Sequence, residues 1–271
     1  MENTNTLGPF DNDTPGDVPL PAAPLAKVLI QVRFPRPSAF VSREDDVARQ
    51  IAGELAADFP VFDEGHEILL QISPEGVQQT QGSRIWLLRS ADGANRVSFA
   101  HGFVALETTS YTHRSEFVGE FLKVWNAMNR VLSIAALERV GVRFVNRMTD
   151  PGVLADLPEL LRPEIAGVRG IETKTAELVR SLSDALYQFE DGSVFQARWG
   201  QLPPNASIDP TVEPVGSTSW ILDMDSSRAW LPGQYGGDDL EEITLGLALR
   251  SYQFFRWAVQ PAFLTRFGGE V

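Results

Sequence analysis

The sequence predicts an α+β fold: antiparallel β-sheet in two similar halves, each a run of strands followed by a long helix packed on the sheet. Three observations lead there. Apolar residues recur at spacings of three and four from Phe117 to Leu132, and the stretch from Asp238 to Val259 is apolar on most sides, which marks two long helices, the second of them buried. Strict alternation marks strands at 26–34 and 139–147. Turn-forming clusters such as ADGAN and EDGS separate short alternating runs, the pattern of antiparallel meanders and hairpins. With 43% apolar and 22% charged residues in 271, the chain has an ordinary globular composition and ample length for a core.

Taken in order, residues 1–24 hold Glu2, Asp11, Asp13 and Asp17, several prolines and no basic residue. They read as a disordered acidic leader with too little apolar area to offset its ordering entropy. The first half, 25–148, is expected to run strand, helix, four strands, helix, strand. Val28, Ile30, Val32 and Phe34 form the buried side of the first strand, and Pro35 and Pro37 end it. A helix follows from Ser42, its N-cap, to about Asp58, with Glu44 to Asp46 near the positive end of its dipole. Strands are predicted at 66–73, 84–89, 96–100 and 103–109, with turns at 76–82, 91–95 and 101–102. The helix after Tyr111 is capped by Thr112 or Ser115 and runs into the strand from Arg139.

The second half, 149–271, starts with a loop holding a short helix near 157–162. A long strand over 176–190 turns at Asp191-Gly192 and returns over 194–200. A proline-rich loop leads to a strand at 219–225, and a buried helix over 238–259 follows, with Gly236 to Asp239 as its cap. The halves share a theme without enough identity to be a repeat, and are expected to form one continuous globular unit.

Composition excludes several chemistries. There is no cysteine, so disulfides and sulfur-ligated zinc are absent, and His66, His101 and His113 form no ligand motif. Phosphate-loop, dinucleotide, nucleophile-elbow and zincin motifs are missing, and no cofactor is expected. A net charge of −13 argues against nucleic-acid backbone and anionic membrane as partners. No apolar run is long enough to span a bilayer and no signal peptide is evident, so a cytoplasmic location is expected. The six tryptophans are scattered as core and rim, with Trp125 on the buried side of its helix.

Two constellations are candidate sites. Arg139, Arg143 and Arg147 share one face of a strand, with Gly141 and Val145 between them and Asn146 on the other side. Guanidinium forks suit phosphate and carboxylate oxygens, so the face is a candidate ligand-binding site. The competing reading pairs these arginines with acids on neighbouring strands, Glu107, Asp184, Asp223 and Asp225, because buried charge persists only when paired. Asp223 and Asp225 are two apart on a strand, so both carboxylates point one way and could hold a hard divalent cation; pairing with arginine is the stronger alternative.

Four stretches carry a resemblance: 20–25 (LPAAPL) followed by VLIQVRF, Tyr111 with Phe117, 140–147 (VGVRFVNR), and 222–225 (LDMD). Over residues 20–268 the chain is similar to a sporadically distributed, functionally uncharacterised bacterial protein family of about this length. The resemblance implies an α+β fold. A histidine that it leads one to expect in the last helix is replaced by Arg250-Ser251. The patchy distribution implies horizontally exchanged systems of the toxin–antitoxin or phage-defence type. The expected function is therefore a non-enzymatic interaction or regulatory protein whose protein partner is encoded next door, with self-association as a further expectation. The alternative is a phosphate or nucleotide binder or enzyme using the arginine face and the Asp223/Asp225 pair.

Overall fold

The protein is described by a computed structural model covering residues 8–11, 15–73, 76–171, 174–231 and 239–270, with side chains at all of these except 41–42 and 67–82. It is α+β. Nine antiparallel strands form one sheet in the order β2-β3-β4-β5-β1-β6-β9-β8-β7. The strands are β1 (Leu25–Arg33), β2 (Val61–Ser73), β3 (Gly76–Arg89), β4 (Asn95–Ala100), β5 (Phe103–Thr108), β6 (Arg139–Met148), β7 (Ser181–Gln188), β8 (Ser193–Leu202) and β9 (Ser219–Ala229). The helices are α1 (Ala39–Ser42), α2 (Glu44–Leu55), α3 (Arg114–Leu132), α4 (Pro151–Leu160), α5 (Pro163–Ala166), α6 (Leu240–Ala258) and α7 (Pro261–Arg266).

The compact units are not the consecutive halves 25–148 and 149–271. One comprises 1–28, 142–227 and 246–271, the other 29–141 and 228–245. The reason is the strand order: β1, β6 and β9 are neighbours in the middle of the sheet, and the boundary falls within each of them.

In the 29–141 unit, the meander β2 to β5 pairs antiparallel, with a register shift between His66 and Ile68 in the β2–β3 ladder, Trp86 opposite Phe99 and Phe99 opposite Val104. The Trp86 and Phe99 rings stack at 5.6 Å and both side chains are fully buried. The turn expected over 76–82 is instead the start of β3: Val77 to Gln81 pair with Ile68 to Ile72. No proline interrupts that polar run, so the backbone ladder continues through it. Helix α2 starts at Glu44, preceded by the single turn α1, so Ser42 belongs to α1 rather than capping α2. Helix α3 is capped by His113, whose ring nitrogen accepts from the Ser115 amide at 3.2 Å, so the capping role falls to neither Thr112 nor Ser115. It ends at Ser133 with φ +50°, where Asn129 Oδ1 accepts the Ile134 amide at 2.7 Å. Its buried stripe (Phe117, Phe121, Val124, Trp125, Met128, Leu132) is the one the spacing predicts, and Trp125 meets Phe34 edge to face at 6.0 Å. An Arg130–Glu54 ion pair at 2.8 Å ties α3 to α2.

In the other unit, the short helix expected near 157–162 is the longer α4, started by Pro151 with Asp150 accepting the Val153 amide at 2.9 Å, and α5 follows. The strand expected from 176 begins at Ser181 and pairs with β8 through the 191–192 turn, where Gly192 supplies φ +79°. Of the residues expected to cap α6, Asp239 does so through the Glu242 amide at 3.0 Å; Gly236 to Asp238 lie outside the described residues.

The leader is a correction. Where described, it packs as a belt. Phe10 lies 5.0 Å from Phe189, 5.2 Å from Tyr187 and 5.3 Å from Phe195, ring centroid to centroid. The Tyr252 hydroxyl accepts from the Val18 amide and donates to the Gly16 carbonyl, both at 2.9 Å, and Ala22 donates to the Phe267 carbonyl at 3.2 Å. One aromatic ring and a few backbone bonds hold a segment whose average composition favours disorder.

Candidate functional site

On β6 the alternation places Arg139, Arg143 and Arg147 half-buried on one side, with Gly141 and Val145 buried between them. With no side chain at Gly141 the guanidinium of Arg139 lies close over the backbone there; a Cβ would meet Arg139 Nη1 at 2.6 Å, and the flexible arginine would have to swing aside. Asn146 is buried on the opposite side by alternation, away from the three guanidiniums.

Arg143 is the centre of a network. Its Nε donates to Asp223 Oδ1 at 2.7 Å and its Nη2 to Asp223 Oδ2 at 2.9 Å, a bidentate fork. Nη2 also meets Asp209 Oδ2 at 2.5 Å, and Nη1 donates to Thr211 Oγ1 at 2.9 Å. From β8, Arg198 Nη2 donates to the same two carboxylates, at 2.7 Å to Asp223 and 3.1 Å to Asp209. Two guanidiniums and two carboxylates make a neutral quartet, and the Asp223 side chain at its heart is 1% exposed. Burial opposes the charge on Arg143, but the Asp223 and Asp209 carboxylates outweigh it and hold the guanidinium above its ordinary pKa. Burial likewise opposes the charge of Asp209, and bonds from Thr211 and Arg143 hold its carboxyl well below the usual range.

Loop 203–218, which joins β8 to β9, closes this face as a strap. The strap carries Pro203, Pro204, Pro210 and Pro214. Asn205, at φ +62°, donates to the Val215 carbonyl at 2.7 Å and draws its ends together. Beneath it, Val145, Leu202 and Ile221 of the strands pack with Val212 of the strap, and Ala206 and Ile208 pack against them. Lys27 donates to the Thr211 carbonyl at 2.7 Å, and Arg147 Nη1 donates to the Glu213 carbonyl. Arg147 Nε and Nη2 are buried with no hydrogen-bond partner among the described residues, and burial pushes this guanidinium's pKa down.

The predicted site residues thus part company. Arg143 and Asp223 come together as an ion pair. Asp225 is half-buried two residues along β9, on the same side by alternation. Both Asp223 oxygens are taken up by guanidinium N–H groups, which leaves the Asp223/Asp225 pair poorly suited to a cation. Among the described residues no group of three or more His, Asp or Glu is placed to hold a metal. Of the other acids considered, Glu107 bonds Arg96 at 3.0 Å, and Asp184 accepts from Gln196 Nε2 at 3.0 and 2.9 Å. Arg198, Asp209 and Thr211 were not anticipated. Arg198 sits in a strand whose flanking residues alternate, a signal that was available; Asp209 lies in an aperiodic loop and gave none.

Beyond the quartet the sheet ends at β7. Phe189 donates to the Ser193 carbonyl at 2.9 Å, and the register runs Tyr187↔Phe195, Ala185↔Ala197, Ser183↔Trp199. In an antiparallel ladder alternate residues bond inward, so the odd-numbered residues of β7 bond β8. The amides and carbonyls of Leu182, Asp184, Leu186 and Gln188 therefore face outward, off the edge. Leu182 and Leu186 are 41% and 68% exposed, and nearby Val179 is 60% exposed. β7 contains no proline and no lysine, two of the devices by which edge strands avoid pairing. The close approach of β8 to β7 depends on Gly200: at φ +142°, a Cβ there would lie 2.0 Å from the Ser181 carbonyl oxygen.

The chain matches no protein-family model and no curated protein, so the functional reading rests on this geometry: a neutral quartet around Arg143 under a strap, and an open apolar edge at β7.

Proposed function

We propose that this protein is a non-enzymatic interaction module that binds a protein partner by strand addition at β7. One observation carries the reading: the outward amides and carbonyls of β7, flanked by the exposed Leu182 and Leu186. Main-chain hydrogen bonds along such an edge supply affinity, and alternate side chains supply specificity. The neutral quartet supports the same view, since its charges serve each other rather than a ligand. A role in an exchanged bacterial accessory system, suggested by the resemblance of residues 20–268 to the patchily distributed family, fits a module whose partner is encoded nearby.

A phage-displayed random-peptide library tests the reading, with hydrogen exchange to map where selected peptides bind. The amides of Leu182, Asp184, Leu186 and Gln188 should exchange freely in the isolated protein and become protected in the complex. Protection confined to another surface would refute the proposal.

A second reading has one observation in its favour. Arg147 holds two buried guanidinium nitrogens, Nε and Nη2, without acceptors among the described residues, which suits an oxyanion entering beside the strap. Inorganic phosphate or a nucleotide should then raise the melting temperature of the parent and not of Arg147→Met.

A further inference from the structure

The edge reading can be deepened, and the inference below rests on it. We infer that the segment β7 accepts is extended and carries a lysine or arginine opposite Asp184, flanked at alternate positions by apolar residues that cover Leu182 and Leu186.

The side-chain row fixes that pattern. Leu182, Asp184 and Leu186 alternate with Ser183 and Ala185, so they share one face of the edge strand. A strand added at about 4.8 Å places its own alternate side chains beside them. Two apolar side chains cover the leucines. Among the described residues Asp184 has no ion-pair partner. Gln196 gives its carboxylate two hydrogen bonds but no charge. Arg198, its register partner on β8, is committed to Asp209 and Asp223. Charge complementarity therefore selects a basic residue at the centre of the incoming segment, and the net charge of −13 favours a basic partner at longer range.

A second copy of the chain fits less well. Antiparallel self-pairing about Asp184 sets that carboxylate against itself. Pairing about Ala185 sets Asp184 against Leu186, and pairing about Leu186 sets Leu182 against Glu190. None of these registers supplies a cation; pairing about Leu182 does, setting Arg180 against Asp184, but it calls on the Leu178 carbonyl, which already accepts from Gln201 Nε2, and every register brings two acidic chains together.

The experiment uses the full chain and two disulfide-closed hairpin peptides. Their outer strands carry leucine, a variable residue and leucine at alternate positions, with threonine between; the variable residue is lysine in one and glutamate in the other. Closing the hairpin reduces the ordering cost of binding. By fluorescence anisotropy the lysine peptide should bind at least tenfold tighter than the glutamate peptide. Asp184→Lys should reverse that order, and rising salt should narrow the gap in the parent. Leu186→Pro removes an outward N–H and one apolar contact while sparing the ladder to β8, and should abolish binding of both peptides. N-methylation of the peptide backbone facing β7 reads the same contact without altering the protein. Equal affinity for the two peptides, lost on N-methylation, overturns the charge inference and leaves the edge reading standing. No binding of either peptide, or binding indifferent to both Leu186→Pro and N-methylation, overturns the edge reading as well. A dimer of the parent chain that Leu186→Pro dissociates overturns the inference in favour of a second copy.

Discussion

Replacing Arg143 with alanine removes the hub of the quartet. The side chain is 12% exposed and makes contacts to Asp223, Asp209 and Thr211. Removing one partner of a buried ion pair costs about 3–5 kcal/mol, because the remaining charge stays buried. Here Arg198 remains, and its single Nη2 would serve both carboxylates. That residual pairing places the expected cost near the lower bound, about 3 kcal/mol. At roughly 2–4 °C per kcal/mol for a chain of this size, the melting temperature should fall by about 6–12 °C. Urea titration at neutral pH measures the free energy, and the cycle with Asp223→Ala should show coupling of about 1–3 kcal/mol. An Arg143→Ala variant within about 0.5 kcal/mol of the parent would refute the argument that the network is buried and mutually neutralising.

Other consequences are open to measurement. Burial alone would raise the pKa of Asp191, but bonds from Arg250 and Ser193 bring it down to about 2. A depressed folded pKa contributes stability above the unfolded value near 3.9, and that contribution is lost as pH falls towards 2. The melting temperatures of the parent and of Asp191→Asn should therefore differ at pH 6 and draw most of the way together by about pH 2, where the folded-state carboxyl is half protonated; a difference undiminished there would show that the carboxylate charge is not responsible. Deleting residues 1–19 should lower the melting temperature by several degrees, and Phe10→Ala alone should cost about 2 kcal/mol, less than a fully buried phenylalanine; an unchanged melting curve would show that the belt contributes nothing. Trp125→Ala, at 8% exposure, should cost about 3–5 kcal/mol by urea titration, and a near-parental value would undo the buried face of α3.

Periodicity carried most of the architecture. The stripe of α3 and the alternation of β6 are local properties, and each is visible in a short window of residues. The pairing of Arg143 with Asp223 was legible as one of two alternatives, because a strand rich in arginine demands acids somewhere. What sequence could not supply was the third and fourth members. Asp209 reaches the network only because the strap folds back, and Phe10 reaches its cluster because a single ring outweighs the acidic character of its neighbours. The turn expected over 76–82 misled for a related reason: glycines at both ends of a polar run look like a loop until the partner strand is in place. Long-range pairing decided each of these, and local composition does not report it.

The quartet also has a temporal side. Arg143 lies 80 residues from Asp223 and 66 from Asp209, while Arg198 lies 25 and 11 from the same two. Arg198 can thus meet its carboxylates within the β8–strap–β9 segment, at small loop-closure cost, before β6 arrives. On that order Arg143 would enter last, as the bolt that fastens β6 to a preformed pair. Its removal should leave the refolding rate nearly untouched and speed unfolding by most of the lost free energy, whereas removal of Arg198 should slow refolding as well. Stopped-flow refolding and unfolding in urea separate the two. The arginine at the heart of the face would then act chiefly as a latch on the lifetime of the native state.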